Sequence, residues 1–184
     1  MGVAQTSERT YSAEELACFP KDSRYELVKG RLREMAPTGG THGFSTSRMG
    51  GRIDVFVEDN DLGLCFAAET GFLVAQNPDT VLAPDFAFIA KERLPGPLTE
   101  KYVPIVPDLV VETDSPSDSR PKAAEKVRDW LAAGVRMVLE LKPKTKQLIV
   151  HRPGRPDTVL EATDMFFGED VLPGFSRPVS GLFA

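Results

Sequence analysis

Two short apolar runs on either side of one well-bounded helix constrain this chain more than any other feature. Leu109-Val-Val-Glu-Thr and Val135-Arg-Met-Val-Leu-Glu-Leu are rich in branched residues and read as strands. Between them, Ser117 to Ala133 carries helix signals at both ends: Ser or Asp as caps, Pro121 in the first turn and Gly134 as a stop. A strand, a helix and a strand in that order, within one sheet, pack through a right-handed crossover. The segment 108–141 therefore predicts a parallel strand pair. Pro84-Asp-Phe-Ala-Phe-Ile is a further nearly continuous apolar run, which places it and the Leu109 run in the centre of the sheet.

The rest of the chain extends this core. Ser12 and Glu15 form a capping box for a short helix that ends at Phe19-Pro20. Tyr25 to Met35 alternates around Lys29-Gly30, the pattern of a β-hairpin. Apolar spacing predicts a helix from His42 to Glu58, although Gly50-Gly51 weakens it. Leu64 to Glu69, Gly71 to Val74 and Gln147 to His151 read as strands, with a basic turn at Lys142–Lys146 and short strands after Asp157. The expected fold class is α/β, an α+β mixed sheet with β extensions at both ends. It occupies one domain over 11–184, preceded by a loose polar stretch at 1–10.

A chain of 184 residues, 41% hydrophobic and 27% charged, is long enough to bury a core as a single domain. Cys18 and Cys65 show no zinc-ligand spacing, and two histidines are too few for a structural zinc site. Reduced thiols fit a cytoplasmic protein. No stretch approaches the roughly 18–20 apolar residues of a membrane helix. The net charge of -5 argues against a strongly basic nucleic-acid binder. It is unevenly spread: -1 over residues 1–60, -6 over 61–120 and +2 over 121–184. An acidic middle third is either a solvated surface or a set of ligands for a cation.

Three acids in that third stand at the ends of apolar runs: Glu69, Asp85 and Glu112. A carboxylate there needs a partner, a hydrogen bond, a metal or contact with solvent. Any one of them is satisfied by solvent at a strand end. Three together, followed by a lysine on the next helix, point to chemistry. The apolar stripe Ala123, Ala124, Val127, Trp130 and Leu131 spans about 120°, and Lys126 lies about 40° outside its edge. Phosphodiester hydrolysis calls for this set: a hard divalent cation on oxygen ligands, and a lysine to steady the attacking hydroxide. Magnesium takes only one or two protein carboxylates, so Asp85 and Glu112 suffice, with the backbone carbonyl of Thr113 as a third ligand.

Eight short words in order, from about residue 12 to 183, resemble the Uma-two family. They are Arg24-Tyr-Glu-Leu-Val-Lys-Gly-Arg-Leu, Thr41-His-Gly, Ala68-Glu-Thr-Gly-Phe, Ala83-Pro-Asp-Phe-Ala-Phe, Pro107-Asp-Leu-Val-Val-Glu, Ser115-Pro-Ser-Asp, Glu125-Lys-Val-Arg-Asp-Trp-Leu-Ala-Ala-Gly-Val and Leu172-Pro-Gly-Phe. This is a bacterial group of restriction-endonuclease-like proteins within the PD-(D/E)XK superfamily. The resemblance implies a restriction-endonuclease-like core in which Asp85 is the first acid and Glu112 the second. The superfamily's usual lysine, two residues after the second acid, is replaced here by Asp114. The family pattern moves it to the following helix, onto Lys126. Glu69 matches a family acid and is a further metal ligand or water-orienting group. His42 also matches, and with Asp114 and Ser115 it falls in the surroundings of the site.

The expected activity is therefore Mg²⁺- or Mn²⁺-dependent endonucleolytic hydrolysis of DNA, with the resemblance pointing to a homodimer. Arg120, Lys122 and Arg128 are candidate phosphate contacts, and the low basic content predicts weak, salt-sensitive binding. Asp114 keeps a second reading open, a nuclease fold retained as a nucleic-acid or protein binding module without catalysis. Glycoside hydrolysis, which also needs two carboxylates, predicts sugar-stacking aromatics, and one Trp and three Tyr supply few.

Overall fold

A computed structural model describes residues 9–20, 23–94, 96–98, 100–115 and 120–183. The N-terminal helix α1 (Ala13–Ala17) starts at the capping box: Glu15 N–H donates to Ser12 Oγ at 3.1 Å, and Ser12 N–H to Glu15 Oε2 at 2.8 Å. The hairpin follows as β1 (Tyr25–Val28) and β2 (Arg31–Glu34), with Lys29 and Gly30 both at positive φ, as a two-residue hairpin turn of this kind requires.

Helix α2 (Gly40–Asp59) runs through Gly50-Gly51 without a break. The reason for Gly50 lies in packing, because a Cβ there would stand 2.7 Å from the Phe86 ring. The strands β3 (Gly63–Ala67), β4 (Phe72–Ala75), β5 (Thr80–Leu82), β6 (Phe86–Ala90) and β7 (Leu109–Thr113) follow. Helix α3 (Arg120–Ala133) then leads to β8 (Met137–Lys142). Its expected N-terminal cap near Ser117 lies outside the described residues. Its C-terminal end matches the sequence: Gly134 at φ 102 and Val135 N–H returning to Trp130 O at 3.1 Å close the last turn. Strands β9 (Gln147–His151), β10 (Thr158–Leu160), β11 (Met165–Phe167) and β12 (Ser176–Pro178) complete the chain.

The main sheet has the order β10-β9-β8-β7-β6-β3. Its β7–β8 pair is parallel and the others antiparallel, as the crossover requires. Both β6 and β7 are buried along their full length. On one face α2 lays Met49, Ile53 and Val57 over Phe86, Phe88, Leu109 and Val111. On the other, Val127 and Trp130 of α3 cover Ala87, Val110 and Val138. A second sheet, β2-β1-β5-β4, was not evident from sequence; it forms because the three-residue β5, between Asp79 and Ala83, bridges the N-terminal hairpin to β4.

Candidate active site

Lys126 and Trp130 are one turn apart on the face of α3 that meets the sheet. Both reach Glu112 at the end of β7. The Trp130 indole N–H donates to Glu112 Oε1 at 2.7 Å and the Lys126 ammonium to Oε2 at 3.3 Å. Glu112 is 6% exposed.

Asp85 stands just before β6, whose first residue, Phe86, pairs with Val111, the residue before Glu112. Asp85 Oδ2 accepts the Thr113 N–H at 2.8 Å and lies 3.0 Å from His42 Nε2 on α2. Thr113 turns its hydroxyl to Thr46 of α2 at 2.8 Å. The two strand ends are thus clamped by α2 on one face and α3 on the other. His42 Nδ1 is buried and has no hydrogen-bond partner among the described residues.

Burial pushes the Glu112 carboxyl up to about 7, against the pull of Lys126, with Asp85 and Glu26 adding to the rise. The same charges hold the Lys126 ammonium above its ordinary value, Glu112 first and then Glu26 and Asp85, although burial opposes them. For His42, burial favours the neutral ring, but the hydrogen bond and charge of Asp85 outweigh it and raise the imidazole. We read the centre as a charged lysine facing a carboxylate that binds a proton unusually well.

A supporting acid, Glu26 of β1, escaped the sequence reading. It is 2% exposed, accepts the Ala83 N–H at 2.9 Å, and pairs with Arg33 at 2.9 Å, which in turn reaches Asp129 of α3 at 2.6 Å. It fixes the backbone two residues before Asp85. Asp108 was likewise passed over: fully buried, it accepts the Ala90 N–H and pairs with Arg93 and Arg136, a structural clasp between β6 and β8.

Of the other expected residues, Glu69 stands at positive φ after β3, its side chain 59% exposed and paired with Arg24. β7 has ended when the chain reaches Asp114, whose N–H bonds Leu141 O and whose carboxylate pairs with Lys142 at 2.8 Å. Asp114 therefore joins another charge cluster instead of crowding Glu112. Ser115 follows, half-buried. Arg120, Lys122 and Arg128 are exposed on α3.

An open cleft of about 540 Å³ reaches the site between α2 and the sheet edge, with His42, Thr46, Gly50, Asp54, Ala67 and Asp85 among its walls. Among the described residues, no group of three or more His, Cys, Asp or Glu side chains is arranged to hold a metal ion. Two carboxylates close enough for the charge of Asp85 to raise Glu112 still fit a cation that keeps most of its waters, as magnesium does.

Comparison with known proteins bears on the family and the fold. The family model described as "Putative restriction endonuclease", Uma2, matches residues 11–180. The chain belongs to the Uma2 family. No curated protein matches it. A crystal structure from Anabaena variabilis, described as a "putative nuclease belonging to DUF820", shares the fold at a TM-score of 0.79 and 19% identity, covering 94% of this chain and 97% of that one. The mixed α/β architecture is thus shared with that solved chain. Among the described residues, no helix is long and apolar enough to cross a membrane.

Proposed function

We propose that this Uma2 protein is a divalent-metal-dependent endonuclease that hydrolyses DNA phosphodiester bonds. The observation that carries the reading is the convergence of Lys126 and Trp130 on the buried Glu112, with Asp85 hydrogen-bonded to the N–H of the next residue, Thr113. Asp85, Glu112 and the Thr113 carbonyl would hold Mg²⁺ or Mn²⁺, which when bound polarises a phosphoryl oxygen and lowers the pKa of water. Lys126 places a positive charge beside Glu112 and steadies negative charge that develops near it. Trp130 locks the Glu112 rotamer from within the core. His42 and the Thr113 N–H orient Asp85, and Thr46 ties that strand end to α2.

Nuclease families of this kind generally use divalent metals, which supports the choice of cofactor. The same reading takes a weak, salt-sensitive DNA complex and a cytoplasmic homodimer, in keeping with the acidic surface and the family resemblance. Nicking of supercoiled plasmid in Mg²⁺ or Mn²⁺ tests it. The native chain is expected to convert plasmid to the open circle, with Asp85→Asn and Lys126→Met slower by about 100-fold or more. Equal rates in all three would overturn the assignment.

A further inference from the structure

The outward side of α2 carries a feature that the candidate site does not use. Gly43, Ser47 and Gly51 recur every fourth residue, so they stack on one helix face. A Cβ at Gly43 or Gly51 would meet nothing within 4 Å. All three line the cleft that ends at His42 and Asp85. Ser47 and Gly51 also line a second hollow, with Phe44, Arg48 and Arg52 as its other walls. The two hollows form one groove across the helix.

Its far wall combines an aromatic face with positive charge. Phe44 is 49% exposed, and the Arg48 guanidinium sits 5.2 Å from its ring centroid. Arg52 reaches back to the Arg48 carbonyl at 3.2 Å. At the inner end, buried His42 leaves Nδ1 without a partner among the described residues.

We propose that this groove binds a single nucleic-acid strand, with phosphates on Arg48 and Arg52 and a base stacked on Phe44, and leads that strand to Asp85. The identity of the bound strand rests on the nuclease reading. Charge complementarity selects a polyanion. The side-chain-free floor at Gly43 and Gly51 lets a sugar-phosphate backbone approach closely. A duplex would depend on many phosphate contacts where two arginines stand, whereas a single strand also gains from stacking.

Fluorescence anisotropy in chelator reads strand capture without cleavage. The probes are a labelled oligothymidylate of about 20 nucleotides, long enough to span one such site, and a blunt duplex of the same length. The single strand should bind more tightly than the duplex. Arg48→Ala/Arg52→Ala should weaken it by about tenfold or more and reduce the salt slope by about 1.4, the share of two phosphates. Phe44→Ala should cost about tenfold on the single strand and little on the duplex. The distant Arg155→Ala should bind like the native chain. Unchanged affinity in the double variant, or no binding by the native chain, overturns the groove. Neither result touches plasmid nicking, which judges the nuclease reading separately.

Discussion

Glu112 and Glu140 share a rung of the parallel β7–β8 pair, yet each carboxylate has its own lysine. Lys126 of α3 serves Glu112 at 3.3 Å, while Lys142 serves Glu140 at 2.7 Å and Asp114 at 2.8 Å. Glu140-Leu141-Lys142 sets, one strand away, an acid and a lysine two residues apart, whereas Asp114 stands two residues after Glu112. The two lysines should therefore separate by experiment. Lys126→Met should slow nicking by about 100-fold or more and also lower the melting temperature, because it leaves the buried Glu112 without its cation. Lys142→Met should keep nicking within a few-fold but cost about 2 kcal/mol, or about 4–8 °C of melting temperature, by leaving two part-buried acids without their cation.

Trp130 gives Glu112 a buried donor that no solvent molecule can replace. Trp130→Phe retains most of the ring volume but removes the N–H, and should destabilise the protein by about 1–3 kcal/mol in chemical unfolding. The carboxyl left behind binds its proton more tightly, so the pH midpoint of Mn²⁺ binding should rise above that of the native chain.

Proton linkage around the two buried centres has a definite sign. Glu112 is raised from 4.5 to about 7, so its ionisation penalises the metal-free fold progressively across that window and fully above it. His151 sits between Glu140 at 3.1 Å and Asp157 at 2.8 Å; burial opposes its charge, but the two acids raise it. Its contribution is complete below 6.5 and is lost as pH rises through the elevated folded value. Burial works against the ionised Glu140, but His151 and Lys142 lower it to about 2, so its contribution is lost as pH falls from 4.5 through that value. Metal-free protein should therefore unfold more readily at alkaline than at mildly acidic pH. His151→Asn should flatten the slope above pH 6.5 in thermal melts.

Adjacent glycines of α2 should respond in opposite directions. Gly50→Ala drives a methyl into the Phe86 ring and should cost about 1–3 kcal/mol by prising α2 from β6. Gly51→Ala meets nothing within 4 Å and should stabilise the helix by about 0.5–1 kcal/mol. Paired denaturation curves check both.

Much of this centre could be read from the chain. Asp85 and Glu112 betray themselves as acids in runs that must be buried, and Lys126 lies near the edge of a periodic stripe. Glu69 passes the same test, and in the fold the backbone turns at that residue and its side chain pairs with Arg24. Glu26 and Asp108 needed partners invisible to local pattern: Glu26 bonds Ala83, 57 positions away, and the cations of Asp108 come from either side of it, at Arg93 and Arg136. The small sheet was hidden because β5 is too short to announce itself by alternation.

Diffraction from crystals soaked in Mn²⁺, with data collected at the manganese edge, tests the central claim most directly. One anomalous peak is expected about 2 Å from oxygens of both Asp85 and Glu112, lost in Asp85→Asn. A peak held by other residues, or none at this pair while the native chain cleaves DNA, would contradict it.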